Sequence, residues 1–221
     1  MDYEIWPLGD SALLLRFGGG GDEVSNAWVH AAMAALRAEA IAGVRALAPS
    51  YAALVLTLDL AQVARSGGIA TLTSLIDEVL RRPMADGPVP GAREIEVPTR
   101  YGGVDGPDLG AVASHAGLSE DAVIQLHVAT TFRVAMLGFQ PGFPYLLGLP
   151  PALQMPRRRS VRPRVPAGSV AIAGAQAGIY PNESPGGWHL IGRTEVRLFD
   201  PQAAEPALLL PGDRVRFVAA G

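Results

Sequence analysis

The chain has 221 residues, 49% of them hydrophobic and 18% charged, a balance that excludes intrinsic disorder and leaves room for one large or two small cores. Its formal net charge of −3 supplies no general field for nucleic acid or an anionic membrane, so neither is expected as a partner. With no cysteine in the sequence, disulfides, thiol nucleophiles and Cys-ligated metals are excluded. No apolar run approaches the roughly 20 residues that a spanning helix needs, and Met1-Asp2-Tyr3-Glu4 opens without a basic-then-apolar leader. A cytoplasmic protein is the expectation.

Residues 1–85 read as a small α/β domain. Tyr3–Leu8 and Ala12–Phe17 are short apolar runs split by the turn pair Gly9-Asp10, the pattern of a hairpin. Gly18–Gly21 lacks a following Lys-Ser/Thr and reads as a connection rather than a phosphate loop. Asp22–Ile41 carries apolar residues at helical spacing and ends near Gly43. Val44–Ala48 and Ala53–Leu58 predict two more strands, and Ile69–Arg82 a second helix closed by Pro83. This order predicts helices on one mostly antiparallel sheet. His30, alone in its alanine-rich helix, reads as a packing or surface residue. Pro83–Gly91, rich in Pro and Gly and without periodicity, marks a domain boundary.

The second domain, 92–221, opens with a strand at Glu94–Pro98, followed by helices over Leu109–Ala116 and Ala122–Thr131, the latter capped by Ser119. His115 and His127 lie near the ends of these helices with no second ligand at metal spacing, so no metal site is predicted. His127 is a candidate general base, with capping or packing as the alternative. Strands are predicted at Arg133–Leu137, Val170–Gly174, Gly178–Tyr180, His189–Gly192, Val196–Asp200 and Arg214–Val218, a spacing that argues for a barrel or sandwich.

Chemistry concentrates between Gly138 and Thr194. The Pro/Gly punctuation of Gly138–Pro150 forbids a helix, while Phe139, Phe143, Tyr145 and Trp188 demand burial or a ligand. Rigid, shaped loops on a β scaffold satisfy both demands. Arg157, Arg158, Arg159, Arg162 and Arg164 form a dense guanidinium run. Such a run suits a small anionic ligand or an acidic partner surface, or is a solvated loop; nucleic acid fits poorly in a net-acidic chain. Gly174–Pro181 and Ser184–His189 read equally well as backbone donors beside a ligand and as tight barrel corners with Trp188 as core filler.

The motifs Gly138-Phe139-Gln140-Pro141-Gly142-Phe143-Pro144-Tyr145, Val165-Pro166-Ala167-Gly168-Ser169-Val170, Gly178-Ile179-Tyr180-Pro181, Pro185-Gly186-Gly187-Trp188 and Ile191-Gly192-Arg193-Thr194 closely resemble one family. It is the family of 5-oxoprolinase B subunits, also labelled allophanate hydrolase subunit 1 and including KipI-type kinase inhibitors. Ile172-Ala173-Gly174 with Gln176, Tyr101-Gly102-Gly103, Gly106-Pro107-Asp108-Leu109 and Leu198-Phe199-Asp200-Pro201 extend the resemblance along nearly the whole chain. Departures stand at Val161 (usually Pro), Ala171 (Gly), Ala177 (Thr) and Glu195 (Pro); the lost hydroxyl at 177 would weaken a ligand contact.

The resemblance implies an α+β chain: a small N-terminal α/β domain and a C-terminal cyclophilin-like β-barrel. It implies a B subunit that activates 5-oxoproline with ATP together with a C subunit, while an A subunit completes ring opening to L-glutamate. A KipI-like inhibitor of a sensor histidine kinase and the carboxyltransferase component of a urea or allophanate enzyme are the alternatives. By position, Arg158, Gln176 and His127 are the catalytic candidates. Arg157 and Arg162, the Gly186-Gly187 backbone, and Phe143, Tyr145, Tyr180 and Trp188 as walls are the substrate-binding candidates. No Walker motif is present, so an ATP site, with Mg²⁺, is expected to be shared with a partner polypeptide.

Overall fold

The computed structural model describes residues 2–18, 23–83 and 92–220. Gly19–Gly21 of the glycine loop, Asp22 of the expected first helix and Met84–Gly91 of the expected boundary lie outside the described residues. The chain divides into two compact units, Met1–Gly91 and Ala92–Gly221.

In the first unit, β1 (Tyr3–Pro7), β2 (Ala12–Phe17), β3 (Val44–Pro49) and β4 (Ala53–Leu58) form a four-stranded sheet in the order β1-β2-β4-β3, every pair antiparallel. Alternation along β2 and β4 sends Leu13, Leu15, Phe17, Leu54, Leu56 and Leu58 to one face. There they share a core with Val29, Met33 and Leu36 of α1 (Glu23–Glu39) and with Leu72, Ile76 and Val79 of α3 (Gly68–Arg81). A short helix absent from the sequence expectations, α2 (Leu60–Arg65), precedes α3; the Asp59 carboxylate caps it by accepting from the Gln62 N–H at 3.1 Å. His30 is buried within α1, among packing residues.

The second unit is a closed seven-stranded barrel. Its strands are β5 (Glu94–Tyr101), β6 (Thr131–Leu137), β7 (Pro144–Leu147), β9 (Ser169–Ala173), β10 (Gln176–Ile179), β12 (His189–Arg193) and β13 (Arg214–Ala219), in the order β10-β7-β6-β13-β5-β12-β9. β13 lies between β5, which it pairs in parallel, and β6, which it pairs antiparallel. α4 (Leu109–Ala116) and α5 (Glu120–Val128) contribute Leu109, Val112 and Val123 to the core that Val97, Phe132, Val215 and Phe217 form from the strands. α5 starts as predicted, the Ser119 hydroxyl accepting from the Ala122 N–H, and ends at Val128 because β6 already begins at Thr131.

Three strands escape the sequence expectations because Pro sits inside them. β7 begins with Pro144, while β8 (Arg162–Val165) and β11 (Ser184–Gly186) contain Pro163 and Pro185 and pair only with each other. Proline, which cannot donate, is tolerated at strand starts and on free edges. The strand expected at Val196–Asp200 does not form. The Thr194 hydroxyl accepts from the Val196 N–H, and the Asp200 N–H donates to the Pro206 carbonyl, so the segment folds into a turn with one bridge, Phe199 to Ala207.

Candidate functional site

The arginine run is anchored on a buried carboxylate. Asp108 occupies the N-cap position of α4 but makes no capping bond; its side chain turns instead to the arginines. Oδ1 accepts from Arg158 Nη1 at 2.8 Å and Arg162 Nη2 at 2.7 Å. Oδ2 accepts from Arg162 Nη1 at 2.8 Å and from the Leu190 N–H at 2.7 Å. Asp108 is 4% exposed. Burial alone would raise its pKa, but the Arg162 fork, the Leu190 amide and the two guanidinium charges together hold the carboxyl below its ordinary value. The preceding turn is locked in place: a Cβ at Gly106 would run into the Ile191 carbonyl, and the Asp108 N–H donates to the Leu190 carbonyl at 2.9 Å.

The loop is fastened along its length. His189 Nε2 donates to the Pro156 carbonyl at 2.9 Å, the Arg158 N–H donates to the Gly187 carbonyl at 2.8 Å, and β8 pairs with β11 from Arg162 opposite Gly186 to Val165 opposite Ser184. His189 Nδ1 and Arg158 Nε are buried without a partner among the described residues. Arg157 and Arg159 are exposed and have no ion pair there; Arg164 has only the exposed Glu183 at 3.7 Å. Five arginines against Asp108 and Glu183 give the loop a net excess of three positive charges, and two of its arginines, Arg157 and Arg159, have no ion pair among the described residues. The geometry therefore separates two roles. Arg158 and Arg162 are spent on Asp108, while Arg157 and Arg159 stay free for an anion.

Beneath the loop lies an aromatic cluster. Phe143 meets Tyr145, Tyr180 and Trp188 edge-on at 4.9, 5.2 and 5.8 Å between ring centroids, and the group shares a small core with Val165, Ala171, Ala173 and Leu190. Phe143, Tyr180 and Trp188, expected as pocket walls, are thus the buried floor; Tyr145 is only partly covered. Gly186 is required here, because a Cβ would strike the Tyr180 hydroxyl. Burial raises the Tyr180 pKa, against the lowering effects of the Trp188 N–H and of the Arg157 and Arg162 charges. Above the cluster, Phe139 is 62% exposed at φ 65°, its ring edge-on to Phe143 and Tyr180 at 5.4 and 6.2 Å.

Two sequence-predicted residues are not joined to this constellation. Gln176 begins β10 and makes no side-chain hydrogen bond among the described residues. His127, on α5, is 0% exposed and sits in the barrel core, its Nδ1 bonded to the Tyr101 hydroxyl at 2.8 Å and its ring on Phe132 and Phe217. Burial pushes its pKa down to about 3, so it stays neutral. This corrects the general-base expectation: His127 packs and meets no solvent. Asp108 is the residue that sequence reasoning missed. Its signal was the arginine run itself, since so many clustered cations require a carboxylate brought from elsewhere in the chain. Among the described residues no three His, Asp or Glu side chains are grouped to hold a metal ion, and no helix is long and apolar enough to cross a membrane.

The family model described as carboxyltransferase domain, subdomain C and D, matches residues 3–209. The 5-oxoprolinase B subunit of Bacillus subtilis (strain 168) is 41% identical over 222 residues, 98% of this chain and 92% of that protein. The crystal structure of TTHA0988 superposes with a TM-score of 0.79 at 42% identity, covering 96% of this chain. This chain spans only 40% of the TTHA0988 chain. The Kluyveromyces lactis urea amidolyase, with a TM-score of 0.73 at 18% identity over 99% of this chain and 15% of its own, shares the fold.

Proposed function

This chain belongs to the carboxyltransferase-domain family of subdomains C and D, among the 5-oxoprolinase B subunits, and from that premise we propose that it serves as the B subunit of an ATP-dependent 5-oxoprolinase. With a C subunit it activates 5-oxoproline, and an A subunit completes ring opening to L-glutamate. The observation that carries the reading is the 41% identity, sustained over nearly the full length of both chains, to a protein named for that role.

The loop's chemistry supports it. Activating an amide with ATP needs fixed cations for phosphate and donors for the oxygen on which charge develops. Arg157 and Arg159 have the exposure and the free charge for the first task. Asp108 keeps the loop from re-forming around each ligand, so little ordering is left to the moment of binding. ATP supplies the driving force for opening the amide, with Mg²⁺ held by phosphate and by partner groups. The carboxyltransferase reading is the second choice, favoured by the family's description.

The test is ATP hydrolysis dependent on 5-oxoproline, with this chain alone and mixed with the C and A subunits. Turnover is expected only in the mixture, and Arg157→Ala is expected to lower it by at least about tenfold. Silence in an assembled complex, with carboxyl transfer to urea detected instead, replaces the reading with the second one.

A further inference from the structure

We propose that a cleft at the end of β12, apart from the arginine loop, binds the carboxylate of a small organic acid between Arg100 and Arg193, with Glu195 as an internal competitor. The inference stands independently of the function proposed above.

The cleft has a volume of about 390 Å³, within the range of small-molecule sites. Arg100, Arg193, Thr194 and Glu195 line its polar side, and Pro98 and Val196 its apolar side. The ladder between β5 and β12 sets Arg100 directly opposite Arg193. Partners across an antiparallel ladder share a face, and like charges there repel, so an anion between them relieves a cost built into the register. Both guanidiniums are held in place. Arg193 Nε donates to the Ala167 carbonyl at 2.9 Å, while its terminal nitrogens have no partner among the described residues. Arg100 Nε donates to Asp105 Oδ2 at 2.9 Å. The main chain behind them is fixed as well: a Cβ at Gly168 would strike the Thr194 carbonyl, and one at Gly192 the Arg100 carbonyl. A register shift against β9 between Leu190 and Gly192 bends β12 just before Arg193. The motif Ile191-Gly192-Arg193-Thr194 thus presents a preset guanidinium fork.

Glu195 identifies the class of ligand. Its carboxylate accepts from Arg100 Nη1 at 2.8 Å, so the cleft already accommodates this chemistry. The Thr194 hydroxyl, accepting from the Val196 N–H at 3.2 Å, closes a tight turn with Glu195 at its apex, and the Glu195 side chain is 81% exposed. It answers Arg100 and leaves Arg193 unanswered. So exposed an ion pair contributes little, and a free carboxylate that bridges both guanidiniums displaces it. Pro98 and Val196 offer apolar contact that the body of an organic acid uses and an inorganic anion does not. β12 runs from His189 to Arg193, so the cleft lies about 13 Å along the strand from the histidine that fastens the arginine loop.

The experiment titrates the isotope-labelled full chain with 5-oxoproline as the probe and follows the amide resonances by two-dimensional NMR. Shifts are expected at Arg100 and at residues 193–196. Arg193→Gln is expected to weaken binding at least about tenfold. Glu195→Gln, at an exposed position that folding tolerates, removes the competitor and is expected to tighten binding by about two- to fivefold. Unchanged or weaker binding in Glu195→Gln makes the ion pair a plain surface contact and overturns the proposal. Equal binding of 2-pyrrolidinone, the same ring without the carboxylate, also overturns it, as does equal binding of inorganic phosphate. Shifts confined to residues 157–164 overturn the cleft and leave the proposed function intact. Absence of any binding overturns the cleft too, while turnover of the assembled complex decides the proposed function separately.

Discussion

At the scale of single residues, Asp108 decides how the arginine run works. Its carboxylate faces two guanidiniums and a main-chain amide. Removing its charge strands two cations against each other, so Asp108→Asn is expected to cost about 3 kcal/mol, read from urea unfolding. The pH dependence has a definite sign. The folded carboxyl titrates below its ordinary value, so its contribution is complete above the unfolded pKa of about 3.9 and drains away as the pH falls through the lower folded value. Wild-type stability should therefore fall below about pH 4 more steeply than that of Asp108→Asn, which lacks this component. The charge density of the loop is plain in the sequence. Which arginines are free is not, because the neutralising carboxylate lies 50 and 54 residues earlier in the chain and reads as an ordinary helix cap.

At the scale of elements, α5 shows how a plausible catalytic histidine becomes a packing residue. Amphipathic spacing places the helix correctly, but nothing in it says that α5 turns His127 toward Phe132 and Phe217. An amide side chain can keep the acceptor for the Tyr101 hydroxyl while losing the ring. His127→Asn is thus expected to lower stability by about 2 kcal/mol in thermal or urea melts through lost packing, while 5-oxoproline-dependent turnover of the complex stays within about twofold. A loss of turnover with unchanged stability would restore the base. Elements with a clean period, such as β2, β4 and α1, are legible. β7, β8 and β11 are not, since Pro at their starts and edges mimics loop punctuation and only pairing across the fold reveals a strand.

For the whole molecule, each unit has a core of its own. The sheet and helices of the first share one cluster, and the barrel is built on two others. We propose that the units are autonomous domains, and residues 92–221 expressed alone are expected to melt in one cooperative transition by circular dichroism. A non-cooperative profile would show that the barrel depends on the first unit. The composition break around Pro83–Gly91 and the motif set are enough to anticipate two units and a barrel. The strand order is beyond reach, since it depends on long-range pairings such as that of β13 with β5.

That pairing has a kinetic consequence. β13 is the last barrel strand along the chain and fills the gap between β5 and β6, so during synthesis those two strands wait with open edges for residues 214–219. Closure joins segments separated by nearly the whole unit, which raises contact order and makes it a late and slow event. Throughout that interval β5 and β6 can template pairing with the wrong chain. Translation that stalls before Arg214 should therefore leave an aggregating product rather than a smaller barrel, and high-level expression should gain most from slower synthesis or a holding chaperone.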